Sequence, residues 1–91
     1  MNYEIPANSI LTIGNGSNEV YKITLKNTSG NKVIYSFNKG NSGFLMPGDT
    51  VVIEANLRKK INLSTEVDNP STIKLVVSNN KYKIKSKLSK R

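Results

Sequence analysis

The sequence contains no cysteine, no histidine and no tryptophan. Without cysteine there is no disulfide and no thiolate metal site, so a short chain must hold its fold by packing, by strand pairing or with a partner. The missing disulfides also remove the usual signature of a small secreted domain, without fixing the compartment. Without histidine and cysteine, the commonest general base and the strongest thiol nucleophile are both gone. Long apolar runs are missing too. The longest, Thr50-Val51-Val52-Ile53, is of strand length, far below the roughly 20 residues of a membrane-spanning helix. The first residues, Met1-Asn2-Tyr3-Glu4-Ile5-Pro6, lack the basic and apolar regions of a signal peptide. The expectation is a soluble protein made in the cytosol.

What is present is alternation. Apolar residues recur with period two, and Gly, Asn, Asp and Ser clusters punctuate them at short intervals. The pattern predicts strands over 10–13, 20–26, 33–38, 50–55, 60–64, 72–78 and 81–88. Tyr21, Ile23 and Leu25 share one face of the second, with Lys22, Thr24 and Lys26 on the other. Asn27 to Asn31 reads as a hairpin loop between the second and third strands, and Lys39 to Gly43 as a polar loop. Pro47-Gly48-Asp49 reads as a type II turn, and Asn79-Asn80 as a two-residue hairpin turn. Asparagine, glycine and β-branched residues outweigh good helix formers throughout. The expectation is an all-β chain: one small antiparallel β-sandwich of about seven short strands and no significant helix. With 91 residues it makes a single domain, here 1–88, followed by a basic end, 89–91.

Charge is distributed unevenly. Residues 69–91 hold seven of the fourteen basic residues and no acid, so nearly all of the net +8 lies in the last quarter. There Lys81, Lys83, Lys85 and Lys87 alternate with Tyr82, Ile84, Ser86 and Leu88. On a strand this puts the lysines in a row, roughly 6.6 Å apart, with the mostly apolar set packed beneath. Arg58, Lys59 and Lys60 join the same patch if they fold nearby.

Two segments together carry a family likeness. Ile23 to Phe37 reads as a strand ending in Asn27, a short turn and a second alternating strand; Gly43 to Ile53 reads as a Pro-Gly turn feeding a third. This order resembles immunoglobulin-like sandwiches of the major sperm protein and PapD-like type, over about residues 20–55. The resemblance implies a seven-stranded Ig-like sandwich that acts by binding or assembly and has no active site. The chain is shorter than those domains and has no match to the paired basic anchors of the pilus chaperones, so no binding residue is carried over.

Enzymatic chemistry finds little support. No Ser–Lys pair is singled out by spacing. Glu66 and Asp68, two apart, could hold a hard cation or act as an acid–base couple, but a solvated turn before Pro70 is the plainer reading. Gly14-Asn15-Gly16 lacks the remaining glycines, the Lys-Ser/Thr ending and the helix of a phosphate-cradling loop. The protein is therefore expected to be no enzyme and to hold no cofactor and no metal. Its candidate contact residues are Lys81, Lys83, Lys85, Lys87, Lys90, Arg91, Arg58, Lys59 and Lys60. They suit a small subunit of a larger assembly, virion-like or scaffold, that docks by its basic C-terminal strand on a protein partner or another copy. They also suit a sequence-nonspecific nucleic-acid binder, since a lysine row can neutralise phosphates. Lysines on an edge strand also discourage aggregation, with no partner at all. A glycan-binding module is a further alternative, with Tyr3 and Phe44 as loop aromatics for a surface contact.

Overall fold

The structure, a computed structural model, describes residues 1–16, 18–37, 41–56, 58, 60–65, 69–78 and 84–90. Alternation sorts these residues into nine strands: β1 (Asn2–Ile5), β2 (Ser9–Gly14), β3 (Val20–Asn27), β4 (Val33–Phe37), β5 (Asn41–Leu45), β6 (Thr50–Asn56), β7 (Ile61–Thr65), β8 (Ser71–Val77) and β9 (Lys85–Lys90). They form two antiparallel sheets, ordered β1-β8-β3-β6 and β5-β4-β7-β2-β9, and no helix occurs among the described residues. The inward set of each sheet meets in one core. Tyr21, Ile23, Leu25, Ile53, Ile73 and Leu75 come from the four-stranded sheet; Leu11, Ile13, Val33, Leu45, Ile61 and Leu63 come from the five-stranded one. An all-β sandwich therefore follows from period-two burial of aliphatic side chains, each worth roughly 1.5–3 kcal/mol on full burial.

The connectivity departs from expectation. Every connection except β4–β5 passes from one sheet to the other. The loop after β3 is thus a crossover and not a hairpin: β3 pairs with β6 and β8, whereas β4 pairs with β5 and β7. Asn27 is the physical reason. It is fully buried, and its side chain fastens the chain as it leaves the sheet. Its amide Nδ2 donates to the carbonyls of Asn31 (2.7 Å) and Leu45 (2.9 Å). Its Oδ1 accepts from the Ser29 N–H (3.0 Å) and the Ser29 hydroxyl (2.7 Å). Its backbone N–H donates to the Asp49 carbonyl, and its carbonyl accepts from the Gly48 N–H, both at 3.0 Å. The same residue therefore ties β3, the β3–β4 crossover, the end of β5 and the β5–β6 turn. That turn matches the type II form: Gly48 has φ +85°, and the Asp49 N–H donates to the Met46 carbonyl at 2.9 Å.

Two strands were not expected. β1 is only four residues long and docks on β8. β5 begins inside the stretch read as a polar loop and pairs fully with β4, Tyr35 opposite Gly43. A Cβ on Gly43 would stand 2.5 Å from the Tyr35 hydroxyl, so the missing side chain gives the Tyr35 ring its place over the strand. Asn79-Asn80 lies outside the described residues, but β8 and β9 belong to different sheets and are no hairpin pair. Tyr3 is in β1 and packs against the core. Its phenol is pushed above the usual tyrosine range by burial, so it is no free aromatic platform.

Asn27→Ala deletes four side-chain hydrogen bonds and strands buried carbonyls, so it lowers stability by about 3 kcal/mol in urea titration. Asn27→Asp is expected to respond to pH. A carboxylate cannot donate to the Asn31 and Leu45 carbonyls, so the folded state holds the carboxyl proton more tightly than the unfolded chain and its pKa rises. The stability is then present at low pH and lost as pH rises through the folded pKa. A variant equally unstable at all pH values would contradict this.

Candidate docking groove

The basic residues of the C-terminal strand owe their placement to β2. β9 is an edge strand that pairs with β2 alone among the described strands, with Lys85 opposite Gly14, Lys87 opposite Thr12, Leu88 opposite Leu11 and Lys90 opposite Ser9. Directly opposed residues share a face. Leu11 and Ile13 point into the core, so Lys85 and Lys87 lie on the outer face of the five-stranded sheet and Lys90 does not. All six residues of β9 are exposed. Leu88, expected to pack beneath the lysines, is 50% exposed, because β9 overhangs the edge of the core. Ile84 does pack partly against it. Ser89 and Lys90 continue the strand.

The fold brings a second basic segment to this face. A groove of about 460 Å³ runs beside β9, and Lys85, Lys87, Arg58, Lys60, Thr12 and Asn15 are among the residues that line it. Gly14 and Gly16 also line it and, lacking side chains, present backbone there. No acidic residue is among the described residues that line it. The Arg58 guanidinium donates from Nη1 to Asn18 Oδ1 at 3.2 Å, which fastens the β6–β7 connection to the β2–β3 connection. From the groove a polar row crosses the sheet: Lys87, Thr12, Asn62, Ser36 and Ser42 are successive cross-strand partners. The Thr12 hydroxyl donates to Asn62 Oδ1 at 2.8 Å, and the Asn62 amide nitrogen carries two further donors. Such a surface offers ammonium, guanidinium and neutral donors to oxygen anions, and the described groove lining includes no aromatic.

Of the residues expected to make contact, Lys85, Lys87, Arg58 and Lys60 come together, and Lys90 stands apart on the other face of β9. Lys81, Lys83, Arg91 and Lys59 lie outside the described residues, as do Glu66 and Asp68. Gly14, Asn15 and Gly16, set aside above as a phosphate-cradling loop, do line the groove. Thr12 and Asn62 were missed, because their only sequence signal is a polar position within an alternating strand, which most such residues share. Phe44 is 57% exposed but lies in β5 beneath a cation, with Lys32 Nζ 4.2 Å from its ring centroid. A second hollow, of about 350 Å³, is lined by Glu4, Pro6 and Pro70 with neighbouring hydroxyl residues and adds no cation. No cluster of metal-ligating side chains occurs among the described residues, nor any helix long and apolar enough to cross a membrane.

Compared with protein-family models, with curated proteins and with solved structures, the chain matches none.

Lys85 and Lys87 are solvated and take no part in the core, so the K85S/K87S double variant should keep its stability to within about 0.5 kcal/mol in thermal unfolding. A loss of several kcal/mol would show that the lysines are structural and not a free binding surface.

Proposed function

We propose that this protein is a non-catalytic interaction module that docks through the basic groove on an acidic protein surface, as a small subunit of a larger assembly. The observation that carries the reading is the meeting of Lys85 and Lys87 with Arg58 and Lys60 in one groove with no acid among its described lining. Two segments far apart in sequence converge there, so the positive potential exceeds that of a single lysine-bearing edge strand. Edge protection alone needs only the lysines of β9; it does not call for a cationic side chain from the β6–β7 connection. The sequence likeness to immunoglobulin-like sandwiches of the major sperm protein and PapD-like type agrees with a role in binding and assembly; the two antiparallel sheets are those of a β-sandwich. Incorporation into a virion or other particle belongs to the same reading.

A nucleic-acid partner is the second reading, favoured by the same cations. Against it stands the groove lining, which holds no aromatic among the described residues, so bases would gain no stacking platform.

The test is titration of the protein with poly-L-glutamate and with a single-stranded oligonucleotide of equal charge, at low and at moderate salt. The acidic-surface reading predicts binding to polyglutamate that weakens as salt rises, at least as tight as binding to the oligonucleotide. K85S/K87S and R58S/K60S should each weaken it about tenfold, the effect of losing roughly 1.4 kcal/mol of charge interaction. No binding to polyglutamate, or binding that ignores both double variants, would overturn it. Clear preference for the oligonucleotide would transfer the site to the second reading.

A further inference from the structure

Among the described strands, the four sheet edges are not equally defended. β9 carries Lys85, Lys87 and Lys90. β1 has four residues and is followed by Pro6. β5 is five residues long and contains Gly43 and polar Asn41 and Ser42. β6, at the end of the four-stranded sheet, is seven residues long and reads Thr-Val-Val-Ile-Glu-Ala-Asn. It has no lysine, arginine, proline or glycine, and it pairs with β3 in one unbroken register from Val20↔Asn56 to Lys26↔Thr50, with no bulge. A long regular apolar edge is a template for another strand. On its outer face, Val52 (55% exposed) continues a cross-strand row through Thr24 to Val76 (51% exposed).

We infer that this edge pairs with β6 of a second copy of the chain, antiparallel about a two-fold axis at Val52, to make a continuous eight-stranded sheet. This does not rest on the groove. The sequence of β6 selects both the occupant and the register. Opposed residues must share a face, so only registers that pair outward positions with outward positions are open. Centring on Val52 sets Val52 against its own copy and makes one apolar row of Val76, Thr24, Val52 and the same three residues of the second copy. On the inner side it sets Val51 against Ile53 of the second copy, lengthening the core. It also sets Glu54 against Thr50 of the second copy, whose neighbour across the sheet is Lys26. Glu54 then lies between Lys22 of its own sheet and, over the short threonine, Lys26 of the other. Lys26 and Lys74 are direct partners of like charge in a row otherwise formed by Thr50 and Asn2, so Glu54 of the second copy supplies that row's missing countercharge. A shift of one pair, centring on Ile53, would instead put Glu54 against Val52.

The two copies each carry +8, so their association should strengthen as salt rises, opposite to docking at the groove. Sedimentation across a concentration series is expected to show a monomer–dimer equilibrium, tighter at high salt. Val52→Lys should weaken it at least about tenfold, because lysine on an edge opposes strand addition, while its circular dichroism and polyglutamate binding stay unchanged. The chain has no thiol of its own, so Val52→Cys supplies a single reporter. Opposed Cα atoms in such a pair stand about 4.5–5.5 Å apart, within disulfide range, and mild oxidation should give a linked dimer. Thr50→Cys, displaced from its copy along the strand, should not cross-link. A wild-type monomer at every concentration and salt, a V52K variant that still dimerises, or cross-linking of T50C in place of V52C would each overturn the inference. Loss of polyglutamate binding in K85S/K87S with dimerisation intact would leave it standing, since the two surfaces are separate.

Discussion

The architecture depends on a buried amide. Asn27 ends β3 with its side chain sealed from solvent and its polar atoms engaged in both directions: the amide nitrogen donates to two carbonyls and the amide oxygen accepts from Ser29. A polar group buried this way costs free energy unless each donor and acceptor is matched, and the matches here come from three residues, Ser29, Asn31 and Leu45. The consequence is long-range. In a sandwich whose strands alternate between sheets, the crossovers decide which strands become neighbours. Fixing the β3–β4 crossover frees β4 to pair with β7 and leaves β6 as the outer neighbour of β3. Both the basic groove and the bare edge of β6 follow from that assignment.

Burial was legible in the sequence and connectivity was not. Tyr21, Ile23 and Leu25 sit inward as their alternation requires, and so do Ile73 and Leu75. Period two states which side chains share a face, yet it carries no information on which sheet a strand joins. Asn27 to Asn31 has hairpin chemistry, and only the burial of Asn27 against Leu45 and Gly48, distant in sequence, makes it a crossover. β5 escaped notice because Asn41, Ser42 and Gly43 offer no apolar alternation; its place rests on backbone pairing with β4 and on the Tyr35 ring over Gly43. The groove was half legible. The lysines of β9 stand out as a charge pattern, but their union with Arg58 and Lys60 depends on β7 and β9 flanking β2, and Leu88 is exposed because that edge overhangs the core.

The two surfaces described here divide the protein by physics. The five-stranded sheet ends in a cationic groove with hydroxyl and amide donors beside it; the four-stranded sheet ends in an apolar, nearly uncharged strand. Salt should act on them in opposite senses, weakening any attraction between groove and anion and screening repulsion between copies. A net charge of +8 opposes close approach of two copies of the chain.

The role of the groove is tested most directly by the backbone amide resonances during titration with polyglutamate. Binding at the groove predicts shifts confined to Thr12, Gly14, Asn15, Gly16, Lys60, Lys85 and Lys87, with Thr24 and Val76 on the opposite sheet unmoved. Shifts spread evenly over all the lysines, or centred on Lys26 and Lys74, would contradict it, because the ligand would then be reading net charge and not this site.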